Sequence, residues 1–239
     1  YLHTKEFIEY NIMENYNIAE YIDYGETQQK KEWGDNYVAI SKQQHKEIVG
    51  NVPPPVFRNK LICNLLWTTG MRRSEIANIK LDDINLEERR IDVPAIKSDE
   101  RSVFFPRAVQ TQLSVWISTR RESCFYADES EYVFVTDRSE RIHPNQIGDI
   151  VKQGAECLPD QKFITSQDGQ ERAKYSTHSY RHGFAEHFIQ QSEEGTGQAS
   201  IYTLKELMGH SSVDVTEQYL NNNKDEWKKQ QMDSFAPTV

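Results

Sequence analysis

The sequence predicts a mainly α-helical domain with a small antiparallel β-sheet. Apolar residues recur at helical spacing in several segments, which Gly and Pro residues separate. Between Arg89 and Phe105 the apolar residues instead alternate around a polar turn, which is typical of a hairpin. The chain has 239 residues, of which 37% are hydrophobic, so it can form one large domain with a buried core.

The helices follow one another along most of the chain. Ser41 to Val49 predict a short helix that Gly50 ends. Residues 57–69 carry a buried apolar stripe, and Gly70 interrupts it. Further helices are predicted at residues 108–120, 145–157 and 178–191, where Tyr180, Phe184 and Phe188 would form one buried stripe. The polar, Gly-containing residues 192–200 predict a loop.

Two hairpins are predicted between the helices. Apolar residues alternate on both sides of the polar turn Ser98-Asp99-Glu100, from Ile91 on one side to Phe105 on the other. The pair Asp168-Gly169 is a favoured two-residue turn, and it indicates a second hairpin. The sheet is therefore expected to be small and antiparallel.

A predicted break at Gly209 decides whether His210 and Tyr219 can share a pocket. On one continuous helix, the nine residues between them would turn about 900° and place them on opposite faces. A helix that ends at Gly209 in a left-handed cap, followed by a helix that a serine after His210 caps, removes this obstacle. Tyr219 can then approach from the second helix.

The overall charge does not favour a nucleic-acid partner. Lys and Arg number 28 against 37 Asp and Glu, which gives a net charge of −9 and a pI of about 5.3. This balance favours a generic enzyme or a protein-interaction domain. It does not exclude DNA, because a local basic cleft governs contacts with phosphates.

The cysteines and the hydropathy exclude other classes. Cys63, Cys124 and Cys157 are widely spaced and contain no CxxC pair, so neither a zinc cage nor a disulfide framework is indicated. No apolar run approaches about 18 residues, and no signal-peptide pattern is present. The simplest expectation is a protein of a reducing cytoplasm.

The arginine, histidine and tyrosine residues of the chain suit phosphoryl transfer. Cleavage of a phosphodiester by a side chain requires an in-line nucleophile, cations for the non-bridging oxygens and an acid for the leaving oxygen. Tyrosine is a plausible nucleophile, and its phosphate ester conserves energy for religation. The planar fork of arginine suits phosphate, and histidine and lysine can move protons.

Four sequence boxes resemble those of the tyrosine recombinases, the phage-integrase family. They are Thr69-Gly70-Met71-Arg72-Arg73-Ser74-Glu75 with Leu81-Asp82-Asp83-Ile84 after it, Lys97 beside the hairpin turn, His178-Ser179-Tyr180-Arg181-His182, and Leu207-Met208-Gly209-His210-Ser211 with Tyr219. The resemblance covers roughly residues 37–222, and its boxes occur in the family's order. It implies the catalytic-domain fold of that family.

The resemblance also implies how the phosphate would be held. Arg72 and Arg181 would clamp the scissile phosphate, a pair called here the phosphate clamp. His178 and His210 would hydrogen-bond the phosphate and assist proton movement. Arg73 remains an alternative to Arg72 on spacing alone.

The remaining roles are implied in the same way. Lys97 would protonate the 5′-oxygen leaving group, and Tyr219 would form a 3′-phosphotyrosyl link. Glu75 and Asp83 would orient the first arginine and its helix. Apart from the resemblance, His182 is expected to pack or hydrogen-bond behind Arg181. A metal site built from His178, His182 and His187 is a weaker alternative, because no carboxylate or cysteine completes the set.

The resemblance implies a site-specific recombinase or integrase that cleaves and rejoins DNA strands without ATP, metal or other cofactor. The partner would be double-stranded DNA, bound by a homotetramer. A monomer is the alternative for the protein that is not bound to DNA. We expect a prokaryotic, DNA-associated enzyme of the cytoplasm, from a virus or mobile element. The alternatives are a type IB topoisomerase-like DNA-relaxing enzyme and a DNA-binding homologue without catalysis.

The expected organisation places the catalytic domain at residues 37–222. Residues 1–22 would be a helical remnant of an N-terminal core-binding domain, and residues 23–36 a linker. Residues 223–239 would form a C-terminal tail, either frayed or exchanged between protomers. The 29 residues from Arg181 to His210 exceed the family spacing, which indicates a longer surface loop. Without a complete N-terminal domain, this chain is expected to bind DNA weakly.

Overall fold

The computed structural model describes residues 38–94, 100–165, 171–193 and 201–209. These residues belong to a compact unit that begins at Val38. The predicted helix at residues 1–22, the linker at 23–36, the helix that would carry Tyr219 and the tail at 223–239 lie outside the described residues.

The described residues are mainly helical, with two small antiparallel sheets. The helices are α1 (Lys42–Gly50), α2 (Val56–Thr69), α3 (Arg73–Ala77), α4 (Arg107–Val115), α5 (Pro144–Gly154), α6 (Thr177–Glu193) and α7 (Ile201–Met208). The strands are β1 (Ile84–Asn85), β2 (Arg90–Val93), β3 (Arg101–Phe104), β4 (Phe163–Thr165) and β5 (Glu171–Ala173). This confirms the predicted fold class.

Local sequence signals account for the ends of the first two helices. Ser41 caps α1, since its Oγ accepts from the Gln44 amide at 3.2 Å while Gln44 Oε1 accepts from the Ser41 amide at 2.9 Å. Gly70 ends α2 in the left-handed conformation, with φ +63°. Both predicted helices are therefore confirmed.

The core forms around α2, as its apolar stripe predicts. Leu61, Ile62, Leu65 and Leu66 are each at most 1% exposed. Helix α6 packs on α2 and also holds the segment before α1, where the Ile40 amide donates to the Ser179 carbonyl at 3.1 Å. These contacts place the start of α6 beside the end of α2.

Both predicted hairpins are present. Strands β2 and β3 pair antiparallel, with Val93 opposite Arg101 and Arg90 opposite Phe104. The short strand β1 adds to β2 and was not predicted. Strands β4 and β5 form the second hairpin. The turns at 95–99 and 166–170 lie outside the described residues.

Three helix predictions need correction. The helix predicted at 108–120 is α-helical only to Val115, and a wider π-type turn then covers Trp116–Arg120. The helix predicted at 145–157 ends at Gly154, and a tighter turn covers Ala155–Cys157. Helix α6 continues to Glu193, so residues 192 and 193 are helical and do not belong to the predicted loop. Local helix propensity does not determine these ends, because tertiary contacts override it.

The predicted buried stripe on α6 holds only in part. Tyr180 is fully buried, whereas Phe184 and Phe188 are only half-buried. The Phe184 ring covers Gly70, where an added Cβ would lie 2.4 Å from Cδ1 of that ring. Phe184 therefore packs against the corner that follows α2.

Among the described helices, none is long and apolar enough to cross a membrane.

Candidate active site

Arg72 lies at the corner between α2 and α3, where Glu75 holds it. Arg72 is the N-cap residue of α3, and Glu75 sits three positions into the first turn. Glu75 Oε2 accepts from the Arg72 amide at 2.7 Å, and Oε1 accepts from Arg72 Nη1 at 2.9 Å. The buried carboxylate therefore fixes both the backbone and the side chain of this arginine.

Arg181 connects the ends of three helices. It lies on α6 and is 3% exposed. Its Nη1 donates to the Gly70 carbonyl at 2.7 Å, and its Nη2 donates to the Met208 carbonyl. Since Gly70 follows α2 and Met208 ends α7, one guanidinium joins both helix C-termini, where carbonyls attract cations.

The two predicted clamp arginines converge at the end of α7. Arg72 Nη2 lies 3.4 Å from the carbonyl oxygen of Gly209. Arg181 contacts the carbonyl oxygen of the preceding residue, Met208. Gly209 has φ +61°, as the predicted left-handed stop requires. His210 follows directly in the sequence and lies outside the described residues.

Arg101 is a member of this cluster that the sequence analysis missed. Its Nη1 and Nη2 donate to Glu75 Oε1 and Oε2 at 3.0 and 2.8 Å, and its Nε donates to the Leu207 carbonyl at 2.8 Å. A signal for it exists in the sequence. Strand periodicity places Arg101 on the same face as Val103 and Phe105, and an inward-facing arginine indicates a buried partner.

Glu75 is negatively charged in a buried place because of these arginines. Burial alone would raise the pKa of its carboxyl group. The hydrogen bonds and charge of Arg101, together with the hydrogen bonds from Arg72, outweigh that effect and lower the pKa. The carboxylate is therefore a stable anchor for the two guanidinium groups.

His178 lies one helical turn before Arg181 on α6. Its pKa is lowered from 6.5, first by partial removal of the ring from water and then by the positive charges of Arg181 and Arg72. The ring of His182 contacts it edge-on, with centroids 4.3 Å apart. A neutral imidazole beside two guanidiniums can accept a hydrogen bond or a proton.

Other predicted residues lie elsewhere or outside the described part. Asp83 Oδ2 accepts from the Lys80 amide at 2.8 Å, so its contact caps its own short turn. Arg73 is exposed and lies against α5, where a Cβ on Gly148 would be 3.1 Å from its Nη1. Lys97, His210 and Tyr219 are not described.

The histidines of α6 do not form one cluster. His187 contacts the Trp67 ring, with centroids 5.6 Å apart, whereas His178 and His182 contact each other. Within the ranges that the structure covers, no three His, Cys, Asp or Glu side chains are placed to hold a metal ion.

The fold and the converging arginines define a tyrosine recombinase catalytic domain. Residues 38–226 match the model of the phage integrase family, and the chain belongs to that family. Among curated relatives, the tyrosine recombinase XerA of Thermococcus kodakarensis is 28% identical over 195 residues, which are 81% of this chain and 61% of the relative. The tyrosine recombinase XerC of Corynebacterium glutamicum is 31% identical over 184 residues, 75% of this chain and 53% of the relative. The chain thus spans only part of these relatives.

Solved structures show the same fold. A crystal structure of XerA recombinase aligns with a TM-score of 0.61 and 22% identity, over 84% of this chain and 66% of the other. The Tn1549 transposon integrase in complex with transposon right-end DNA aligns with a TM-score of 0.63 and 17% identity, over 84% and 67%.

Proposed function

We propose that this chain is the strand-cleaving and rejoining part of a site-specific DNA recombinase. Family membership makes this the favoured function. The observation that carries it is the convergence of Arg72 and Arg181 on the adjacent carbonyls of Gly209 and Met208. Two cations brought together from distant parts of the chain suit a phosphate whose charge grows in the transition state.

In the proposed reaction, Tyr219 is the nucleophile. Its phenolic oxygen attacks the scissile phosphorus, and the bond from phosphorus to the 5′-oxygen breaks. Lys97 gives a proton to that leaving oxygen, and the 3′ end stays linked to the tyrosine. A 5′-hydroxyl from a partner strand then attacks the phosphotyrosine, returns the tyrosine and restores the phosphodiester, so no ATP is required.

The phosphate clamp and the histidines would act on the same phosphate. Arg72 and Arg181 would bind the non-bridging oxygens through their planar forks. His178 and His210 would hydrogen-bond the phosphate, and neutral His178 could also accept the tyrosine proton. Glu75 would keep Arg72 oriented, as its two contacts with that residue support.

The proposed partner is double-stranded DNA, and the Tn1549 integrase structure is a complex with transposon right-end DNA. We further propose a homotetramer on DNA and a place beside the DNA in a prokaryotic cytoplasm. The net charge of −9 indicates that affinity rests on a local basic site, so binding should weaken steeply with salt. An origin in a virus or mobile element would fit an integrase.

Covalent capture tests the proposed function without knowledge of the target. The purified chain is incubated with nicked duplexes that contain a randomised core, and protein-linked DNA is recovered from a denaturing gel and sequenced. A nick a few nucleotides to the 3′ side of the cleavage point lets the short fragment with the new 5′-hydroxyl diffuse away, so that the covalent product accumulates. We expect an enriched adduct with the native chain and none with Tyr219→Phe.

Two results decide between this function and the other classes. Absence of any adduct from the pool and from the DNA that flanks the encoding gene would contradict cleavage and leave a DNA-binding homologue. Relaxation of supercoiled plasmid without paired sites would instead favour a topoisomerase-like enzyme. Recombination between two copies of the captured sequence is the expected result.

A further inference from the structure

We propose that Arg101 is a positioning residue that keeps Arg72 available to the scissile phosphate and holds the end of α7 in place. This inference rests on the proposed function. Arg101 contacts neither of the clamp arginines in the hydrogen bonds described above. It acts through Glu75 and through the Leu207 carbonyl.

The hydrogen bonds of Arg101 divide the Glu75 carboxylate between two arginines. Arg101 occupies both Glu75 oxygens through a two-bond fork at 3.0 and 2.8 Å. The side chain of Arg72 binds the same carboxylate through Nη1 at 2.9 Å, and the Arg72 amide donates to Oε2 at 2.7 Å. Without Arg101, the Arg72 side chain would pair with both oxygens of Glu75, and its fork would turn away from the phosphate.

Burial makes this division strong. The side chain of Arg101 is 7% exposed and that of Glu75 is 2% exposed, whereas the side chain of Arg72 is 28% exposed. A buried carboxylate requires a full compensating charge. The buried partner, Arg101, supplies that charge, and the more exposed arginine keeps donors that a ligand can reach.

The same side chain fixes the residues that lead to His210. Arg101 Nε donates to the Leu207 carbonyl, and its guanidinium lies directly on Gly209. A Cβ on Gly209 would be 2.9 Å from Arg101 Nη1 and 3.1 Å from Arg101 Cδ. Glycine is therefore required there for its left-handed backbone and for the close approach of Arg101.

Arg101 also joins the hairpin to this site. It is the first residue of β3 and pairs with Val93 of β2, so it directly follows the connection that contains Lys97. One residue thus ties the strand after the predicted general acid to Glu75 and to the end of α7. These contacts use all three nitrogen atoms of one planar guanidinium. Lysine, with a single side-chain nitrogen, cannot replace them.

The test compares Arg101→Lys and Arg101→Met on two forms of the captured nicked duplex. One form has an ordinary scissile phosphate, and the other has a methylphosphonate, in which a methyl group replaces a charged non-bridging oxygen. A clamp that neutralises charge matters less for the uncharged form. We expect both variants to form adduct about 100-fold more slowly on phosphate but less than about 10-fold more slowly on methylphosphonate.

Arg90 provides the matched control. It lies on the neighbouring strand and forms ion pairs with the exposed residues Glu88 and Asp92. Arg90→Lys and Arg90→Met should cleave both substrates at the native rate. Thermal unfolding shows that each variant is folded, and Arg101→Lys serves if the methionine variant does not fold.

The results separate this inference from the proposed function. Absence of a covalent adduct with the native chain would contradict the proposed function itself. Native cleavage together with unchanged Arg101 variants, or with equal losses on both substrates, would overturn only the positioning role. Failure of both Arg101 variants to fold would also overturn it, because Arg101 would then be a stability residue.

Discussion

Arg181 Nη1 donates a 2.7 Å hydrogen bond to the carbonyl oxygen of Gly70, although 111 residues separate the two in the chain. Gly70 ends α2, and Arg72 follows two residues later at the start of α3. Arg181 therefore binds the corner between α2 and α3 that positions Arg72. A change at this corner should affect both arginines at once.

Replacement of neighbouring arginines should separate Arg72 from Arg73. Arg72 contacts Glu75 and the Gly209 carbonyl, whereas Arg73 is exposed and lies against α5. Arg72→Lys loses the planar fork and should slow adduct formation by about 100-fold or more. Arg73→Lys should stay within a few-fold of the native rate. Single-turnover cleavage of the captured duplex measures both, and equal losses would contradict the assignment.

The conformation of Gly70 predicts a large stability difference between two glycine replacements. Gly70→Ala places a Cβ 2.4 Å from the Phe184 ring at a residue with φ +63°, so it should lower the free energy of unfolding by about 2–4 kcal/mol. Gly50 lies at the end of α1 with nothing within 4 Å of its Cβ position. Gly50→Ala should be neutral or stabilising by less than about 1 kcal/mol. Urea unfolding measures both, and similar values would refute the role of Phe184.

The charge of the clamp should be visible in the titration of His178. Its pKa lies below 6.5 because of the surrounding protein, Arg181 and Arg72, in that order. Removal of a nearby positive charge favours the imidazolium, so Arg72→Gln should raise the pKa of His178. Arg73→Gln is the matched control and should leave it unchanged. NMR titration with assignment by His178→Gln tests this, and a native midpoint at or above 6.5 would contradict it.

His45 should make the fold sensitive to acid. It stacks on Trp67 at 5.0 Å and lies 3.2 Å from the Tyr180 hydroxyl, and burial lowers its pKa from 6.5 to about 4, against a smaller opposing effect of Asn64. Between these values the unfolded chain binds a proton that the folded chain does not. Stability is therefore full above pH 6.5 and falls as the pH drops to 4, by roughly 2 kcal/mol from this residue.

The matched variant for this prediction is His45→Gln, which cannot titrate. Its free energy of unfolding should fall less than that of the native chain between pH 6.5 and 4, while other acid-sensitive groups contribute equally to both. Urea unfolding at several pH values gives the two slopes. Parallel slopes would show that His45 is not the titrating group.

The sequence predicted the elements whose signals are local. The apolar stripe of α2, the left-handed stop at Gly209 and the two hairpins were each visible within a few residues. The α-helix predicted to residue 120 was wrong beyond Val115. The Trp116 ring is buried, and its Nε1 donates to the Val133 carbonyl at 2.9 Å. Local propensity contains no information about such a tertiary contact.

Burial of an arginine did not by itself mark the site. Arg121 is also buried, yet it donates to the carbonyls of Ala127 and Ser130 and so fixes a loop. Arg181 differs because its partners end helices that the sequence boxes contain. The sequence boxes identified Arg72 and Arg181. Arg101 was identified only from its contacts with Glu75 and Leu207 in the structure.

The sequence by itself determined the fold class, the order of the elements and the family, because periodicity, caps and box motifs are local properties of the chain. Only the tertiary structure decided that Arg72 and not Arg73 turns toward Gly209, and that Arg101 shares Glu75 with Arg72. These choices depend on packing between elements up to 137 residues apart. Burial then makes each unpaired charge costly, so the packed elements fix which partners meet.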